Sequence, residues 1–315
     1  MDTEAIVIPA PGRLELREVG LTDPGPEDVI IQTAYTSISA GTERMLLAGR
    51  MPHPMLSFPV VPGYETVGKV IGVGAYAPPQ LEGRWVYVGG ARCYRDVNPA
   101  WGGQARRLIV DHQRVVTLDG LEPRQGVVLA LAATALHGVD LAAPKPGQRV
   151  LVLGQGPVGQ IAARIARTRE AWVAVADRVS SRLELASADL AVNVQSGSLR
   201  EQVDAPVDLI IEATGSMTAL AEALPLLANG GTILLLGYYD ELRLPYMPLF
   251  LKQARLLTAR EWAPGDLARC RNMIANGTLQ LAGLLTHHIP IREYEQGYRV
   301  ALDDPECLKL VLEWT

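Results

Sequence analysis

Cysteine is scarce: Cys93, Cys270 and Cys307 are the three in 315 residues, and they stand far apart. An odd number at that spacing fits neither a disulfide framework nor a close-set metal cluster. Positive charge is also in deficit, with 29 Lys and Arg against 34 Asp and Glu and a formal net charge of −5. An acidic surface offers no attraction to nucleic acid or to an anionic membrane, so neither is expected as a partner. No uninterrupted apolar run reaches the roughly 18 residues that cross a bilayer, so integral membrane association is not expected. Met1-Asp2-Thr3-Glu4 has no basic stretch leading into an apolar one. No secretory leader is expected, and the cytoplasm is the expected compartment. Internal repeats and low-complexity segments are missing too.

What is present is an ordinary globular composition, 48% hydrophobic and 20% charged. A chain of 315 residues is long enough for two domains. Residues 1 to 121 carry short β-like runs at Ala5-Ile8, Val29-Ala34, Gly68-Val73, Arg84-Val88 and Ala105-Val110. Gly and Pro clusters at Pro24-Gly25-Pro26 and Pro62-Gly63 punctuate them, which predicts an irregular β-rich domain. After Leu121-Glu122-Pro123 the character changes. Gly126 to Ala142 reads as a buried helix, and Pro144-Lys145-Pro146-Gly147 turns the chain into the apolar run Arg149-Leu153. Further strand-like runs at Trp172-Ala176, Ala191-Val194, Val207-Glu212 and Thr232-Leu236 alternate with helical stretches. That alternation predicts an α/β domain over 122–260 with a doubly wound parallel sheet covered on both faces. The tail 261–315 is mixed again and is expected to rejoin residues 1–121.

The sharpest local signal is Gly154-Gln155-Gly156-Pro157-Val158-Gly159, directly after an apolar strand and before the helix-compatible Gln160-Arg167. Gly154 suits the tight turn, Gly156 a close backbone approach to a pyrophosphate, and Gly159 close packing of helix on strand. Pro157 suits the first helical turn, where its missing N–H is not needed. The helix N-terminus then offers free N–H groups to phosphates. The next strand ends at Asp177, where the motif places an acidic contact to the ribose hydroxyls. A carboxylate there repels a ribose phosphate and points to NAD. Arg178 beside it is the residue that can instead accommodate NADP. Thr214-Gly215 and Gly237-Tyr238 close later strands at their carboxyl ends, where ligands of such sheets bind, and plain strand-to-helix turns read the same way.

The β domain, the inserted dinucleotide domain and the returning tail together resemble the medium-chain dehydrogenase/reductase superfamily. The resemblance implies a GroES-like catalytic domain joined to a Rossmann domain. In zinc members, a Cys-Gly-Thr-Asp-like segment supplies a metal cysteine and a hydroxyl for the substrate alcohol. Here the segment is Ala40-Gly41-Thr42-Glu43. Their Gly-His-Glu reads Gly63-Tyr64-Glu65, and the stretch matching their four-cysteine structural lobe, Ala91-Asn98, holds Cys93 alone. A tetrahedral zinc needs about four close ligands, so no metal is expected.

Longer strings are similar to the bacteriochlorophyllide a dehydrogenases of bacteriochlorophyll synthesis. They are Ser37-Glu43, Ala48-Pro52, Val61-Glu65, Ala130-Ala135, Ala259-Trp262, Leu284-His287 and Asp304-Lys309. This resemblance implies a bacteriochlorophyllide-type macrocycle as substrate, with oxidation of its hydroxyethyl group to acetyl and NAD as acceptor. It also implies a homodimer through the sheet edge near Gly231-Tyr239 and Leu256-Arg260.

The expected roles follow from that chemistry. Thr42 hydrogen-bonds the alcohol. Tyr64 acts as donor, acceptor or relay, or fills the volume the metal left. Glu65 acts as base or as a buried partner that orients the others. Thr134 reaches the nicotinamide or packs its helix. His53, Met51 and Trp262 contact substrate, or are a solvated loop residue and core packing. Two other readings of the chain stay open: an NADPH-dependent quinone or enone reductase without zinc, and a dinucleotide-binding protein without turnover.

Overall fold

The computed structural model describes residues 1–51 and 57–314. The chain folds as two compact units, Met1–Ala130 with Leu284–Thr315, and Leu131–Gly283. The sequence placed these joints earlier, at 121/122 and 260/261. The difference has a physical cause. Arg269, on the helix Asp266–Ala275, pairs with Asp140 (2.8 Å) of the helix Leu129–Ala142 and with its own Asp266 (2.8 Å). These ion pairs hold the segment after 260 to the inserted unit. Trp262, expected in the catalytic domain, therefore belongs to the second unit, where it is half-buried.

In the first unit, a seven-stranded sheet runs in the order Leu285–Pro290, Lys309–Glu313, Asp28–Ser37, Thr66–Val73, Trp85–Val88, Val115–Thr117 among the described residues. Arg107–Asp111 also pairs with Asp28–Ser37. The pair Leu285–Pro290 and Lys309–Glu313 is parallel and the others are antiparallel. The two-residue alternation of Val29 and Ile31 sends both into a core with Val7, Val70, Val86 and Leu108. A Cβ at Gly68 would lie 2.4 Å from the Gln32 carbonyl oxygen, so the two strands can approach only with glycine there. Trp314, fully buried, donates from Nε1 to Thr36 Oγ1 (2.8 Å) and fixes the end of the chain on the same sheet.

The second unit holds six parallel strands in the order Leu190–Asn193, Trp172–Asp177, Arg149–Leu153, Val207–Glu212, Leu227–Leu235, Arg255–Thr258. This is the doubly wound order that binds dinucleotides where the winding reverses. Continuous apolar runs explain it: Val150, Leu151, Val152, Val173, Ala174 and Val175 are all fully buried, as both faces are covered. Helix Pro157–Thr168 turns Ile161, Ala162, Ala163, Ile165 and Ala166 inward. One helical run, Pro123–Ala142, is long and apolar enough to cross a membrane, with mean hydropathy 1.4, but 61% of that window is buried. Its polar Arg124, Gln125 and Asp140 interrupt the apolar stretch.

At Gly159 an added Cβ would lie 1.9 Å from the Gly154 carbonyl oxygen, which is backbone and cannot step aside. Gly159→Ala is expected to cost about 1–3 kcal/mol of stability, the scale of overpacking. Urea unfolding measures it, and a change below about 0.5 kcal/mol, the scale of an ordinary surface substitution, would contradict the packing account.

Candidate active site

The dinucleotide cradle follows from the turn after Arg149–Leu153. Gly154 takes φ +88°, a left-handed conformation that glycine alone adopts freely. A Cβ on Gly156 would meet nothing within 4 Å, so open space stands above it. Gly156 caps the helix, Pro157 fills its first position, and Val158 lies half-buried in the first turn. These features fit a pyrophosphate held on backbone N–H groups. Asp177 is fixed beside the cradle: Oδ2 accepts from the Gln155 N–H (2.5 Å), and Oδ1 from the Arg178 (2.6 Å) and Val179 (2.9 Å) N–H groups. Arg178 is exposed.

Glu212, at the end of the strand Val207–Glu212, organises the rest of this rim. Its buried carboxylate accepts from the Thr214 N–H (2.7 Å), the Gly215 N–H (3.1 Å) and the Thr214 hydroxyl. Its backbone oxygen accepts from Leu236 (2.8 Å) and Gly237 (3.0 Å) N–H groups. Burial pushes its carboxyl up, against those hydrogen bonds. Thr214, Gly215, Gly237 and Tyr238 are thereby brought together. A Cβ at Gly237 would strike the Gly215 nitrogen (2.5 Å) and Glu212 Oε2 (2.6 Å). Thr134 is half-buried in the helix Leu129–Ala142. On the same helix, His137 faces Asp266 (3.7 Å).

A second cluster lies in the first unit. The sheet strand Asp28–Ser37 ends, and Ser39 caps the helix Ala40–Leu47 that carries Thr42 and Glu43. Tyr64 arrives on the turn before Thr66–Val73, where Gly63 has φ +95° and the side chain of Gln104 leaves no room for a Cβ (2.5 Å). Three hydroxyls meet there. Tyr64 OH and Ser39 Oγ are 2.6 Å apart, Ser39 Oγ and Thr42 Oγ1 3.4 Å, and Thr42 Oγ1 and Tyr64 OH 3.5 Å. Ser39 was not singled out from the sequence, because a serine before a helix reads as an ordinary cap. Burial first, and the nearby Glu65 charge second, push the Tyr64 phenol up, so it stays protonated and serves as a hydrogen-bond group.

Below the hydroxyls are charges that water does not reach. Glu65 Oε2 is 2.5 Å from Lys309 Nζ, with Glu65 1% and Lys309 3% exposed. Glu65 is thus a buried ion-pair partner of Lys309. Glu43, also 1% exposed, accepts the Ser39 N–H (3.1 Å) and the Tyr298 hydroxyl. Burial pushes its carboxyl up to about 7, against those two hydrogen bonds. The Tyr87 hydroxyl donates to the Tyr64 carbonyl (2.7 Å). Trp101, a bulky residue at φ 68°, sets its ring edge-on to Tyr64 with centroids 5.4 Å apart. No pattern in the sequence marks it.

Met51, expected at the substrate, is 9% exposed and packs with Ile8, Leu46, Val60 and Ala100. His53 lies outside the described residues. The positions that carry zinc ligands in the zinc enzymes hold Ala40 and Tyr64. Cys93 is in the core, its sulfur accepting from the Ile109 N–H (3.5 Å), and burial pushes its thiol up. Among the described residues no group of three or more His, Cys, Asp and Glu side chains is set to hold a metal ion. These donors do not fit a tetrahedral zinc.

A phosphate cradle on a doubly wound sheet and a separate β-rich unit with a polar cluster define a dinucleotide-dependent dehydrogenase architecture. Comparison with known proteins gives the same class. Residues 25–120 match the alcohol dehydrogenase GroES-like domain and residues 157–276 the zinc-binding dehydrogenase family. The 2-desacetyl-2-hydroxyethyl bacteriochlorophyllide A dehydrogenase of Rhodobacter capsulatus is 34% identical, over 100% of this chain and 99% of its own. Among solved structures, a zinc-binding dehydrogenase from Sinorhizobium meliloti 1021 bound to NADP has a TM-score of 0.87 at 22% identity, covering 99% of each chain. An alcohol dehydrogenase from Escherichia coli CFT073 complexed with NADH has a TM-score of 0.86 at 21% identity, also covering 99% of each. The chain belongs to the medium-chain dehydrogenase family and is an oxidoreductase acting on an alcohol.

Glu43 gives the site a pH signature. Its carboxyl sits above its usual value of 4.5, so between 4.5 and about 7 the native state holds a proton that the unfolded chain has lost. Its contribution to stability is complete below 4.5 and is lost as pH rises through about 7. The slope reaches about 1.4 kcal/mol per pH unit at most. Denaturant titrations of wild type and Glu43→Gln from pH 4.5 to 7.5 check this: the substitution is expected to remove that fall, and parallel curves would contradict it.

Proposed function

We propose that the chain oxidises the hydroxyethyl side chain of a bacteriochlorophyllide-type macrocycle to an acetyl group, with NAD as hydride acceptor and without zinc. The observation that carries this reading is the Ser39–Thr42–Tyr64 hydroxyl cluster, in which Tyr64 stands at one of the two positions, Ala40 and Tyr64, matched to metal ligands of the zinc enzymes. Full-length identity of 34% to a relative named for that substrate supports the macrocycle. Asp177, anchored beside the glycine cradle, favours free ribose hydroxyls and hence NAD over NADP.

Gly154, Gly156, Pro157, Val158 and Gly159 would hold the pyrophosphate, Asp177 the ribose, and Thr214, Gly215, Gly237 and Tyr238 the rim. A bound nicotinamide would supply the acceptor for the hydride that leaves the carbinol carbon. Thr42 and Tyr64 would hydrogen-bond the alcohol oxygen. Each hydroxyl of the cluster accepts one proton while donating another, so as the carbonyl forms the set would pass the alcohol proton to solvent, which the half-buried Thr42 and Tyr64 reach. Zinc in related enzymes makes that proton easier to lose. The conjugated ring replaces part of that help, because it shares positive charge developing at the adjacent carbon. The raised Tyr64 phenol makes it a donor and relay rather than the final base. Cytoplasmic location and a homodimer remain part of this proposal.

The test is turnover of the hydroxyethyl pigment, followed by the absorption shift as a carbonyl joins the conjugated system, with NAD and NADP in parallel. NAD is expected to win by about tenfold or more, and Asp177→Ala to erase most of that preference. Tyr64→Phe and Ser39→Ala are expected to lower kcat about 10²-fold, the lower end of general acid–base effects. Reduction of enones with NADPH and no pigment oxidation would replace this reading with a reductase. Nucleotide binding without any turnover would leave a binding protein.

A further inference from the structure

We propose that Lys309 is a positioning residue that holds Ser39 and Tyr64 at hydroxyl contact. The proposal rests on the reading that this cluster meets the alcohol. The Lys309 ammonium lies 2.5 Å from Glu65 Oε2 and donates to the Ile38 carbonyl oxygen at 3.0 Å. Glu65 directly follows Tyr64 and Ile38 directly precedes Ser39. One buried cation therefore ties together the two chain segments whose next residues share the 2.6 Å hydroxyl contact.

The surrounding bonds make that tie directional. Lys309 begins the strand Lys309–Glu313, which pairs with Asp28–Ser37 through Val311 opposite Ser37. The Ser37 hydroxyl donates to the Leu310 carbonyl (2.8 Å), and the Ser37 N–H donates to the Glu65 carbonyl (3.0 Å). Strand, turn and helix entry are thus fixed to one another on the backbone. What the backbone leaves open is the separation of the two segments beyond Ser37, and Lys309 spans that distance. Glu65 Oε1 has no hydrogen-bond partner among the described residues. A pair so incompletely satisfied contributes little to stability, since the cost of taking both charges out of water offsets their attraction. Lys309 fits a geometric role better than a stabilising one.

A buried pair suggests its own test, because removing one partner strands a charge while removing both does not. Lys309→Met/Glu65→Gln is compared with wild type, Glu65→Gln and Ser39→Ala. The first readout needs no substrate: the Cζ resonance of Tyr64 in 13C-tyrosine-labelled protein, assigned with Tyr64→Phe, which reports hydrogen bonding of the phenol. The double variant is expected to stay folded with its Tm within a few degrees, and its Tyr64 resonance to move toward that of Ser39→Ala. With the pigment alcohol, kcat is expected to fall about 10²-fold, the effect of an ångström-scale misplacement, while KM changes less than about threefold. A wild-type Tyr64 resonance in the folded double variant would overturn the proposal whatever the substrate proves to be. So would wild-type kcat. Loss of folding in the double variant while Glu65→Gln stays folded would make the pair a stabilising element and overturn it equally. Failure of wild type to oxidise the pigment, with the resonance shift intact, would refute the substrate reading alone.

Discussion

Buried charge is the constraint on which the first unit turns. Glu43, Glu65 and Lys309 are each no more than 3% exposed, and a charged or polar group in that setting is costly unless it is paired or hydrogen-bonded, or, as for Glu43 below about pH 7, keeps its proton. Each must find a partner from another part of the chain. Lys309 finds Glu65 and the Ile38 carbonyl, while Glu43 finds the Ser39 N–H and Tyr298. Those partners lie on the last strand, the helix Tyr294–Asp303, the helix entry and the turn bearing Tyr64. Satisfying these groups draws residues 284–314 against the first 130 of the chain. The hydroxyl contact between Ser39 and Tyr64 is assembled on top of that requirement.

The second unit obeys a different constraint, backbone proximity. Gly159 packs against Gly154, and Gly237 against Gly215 and Glu212, at distances that exclude any side chain. This kind of constraint is legible in a sequence because only glycine satisfies it. The Gly154–Gly159 turn was readable for that reason, and the alternation of strands and helices from its apolar runs. Apolar runs such as Arg149–Leu153 and Val207–Glu212 could be assigned to residue precision.

The first unit was less legible because its determinants are long-range. Ser39 reads as a helix cap, Lys309 as one lysine in a tail, and Trp101 as part of a Gly-rich turn. Lys309 meets Glu65 across 244 positions, and no local pattern announces such a pair. The late return of the chain at Leu284 had the same origin, since Arg269 reaches back to Asp140. By contrast, Ala40 and Tyr64 were informative as substitutions within known motifs. Their side chains cannot supply the thiolate and imidazole found in zinc relatives. The structure adds that Tyr64 meets the hydroxyls of Ser39 and Thr42 there.

Alcohol oxidation on hydroxyls rather than on zinc is the proposal from which the rest of the mechanism follows. Its most direct test is metal content and pigment turnover measured on one preparation, before and after dialysis against a strong chelator. Zinc far below one per chain and turnover unchanged by chelation are expected. One zinc per chain, with turnover lost on chelation and restored by adding the metal back, would contradict it.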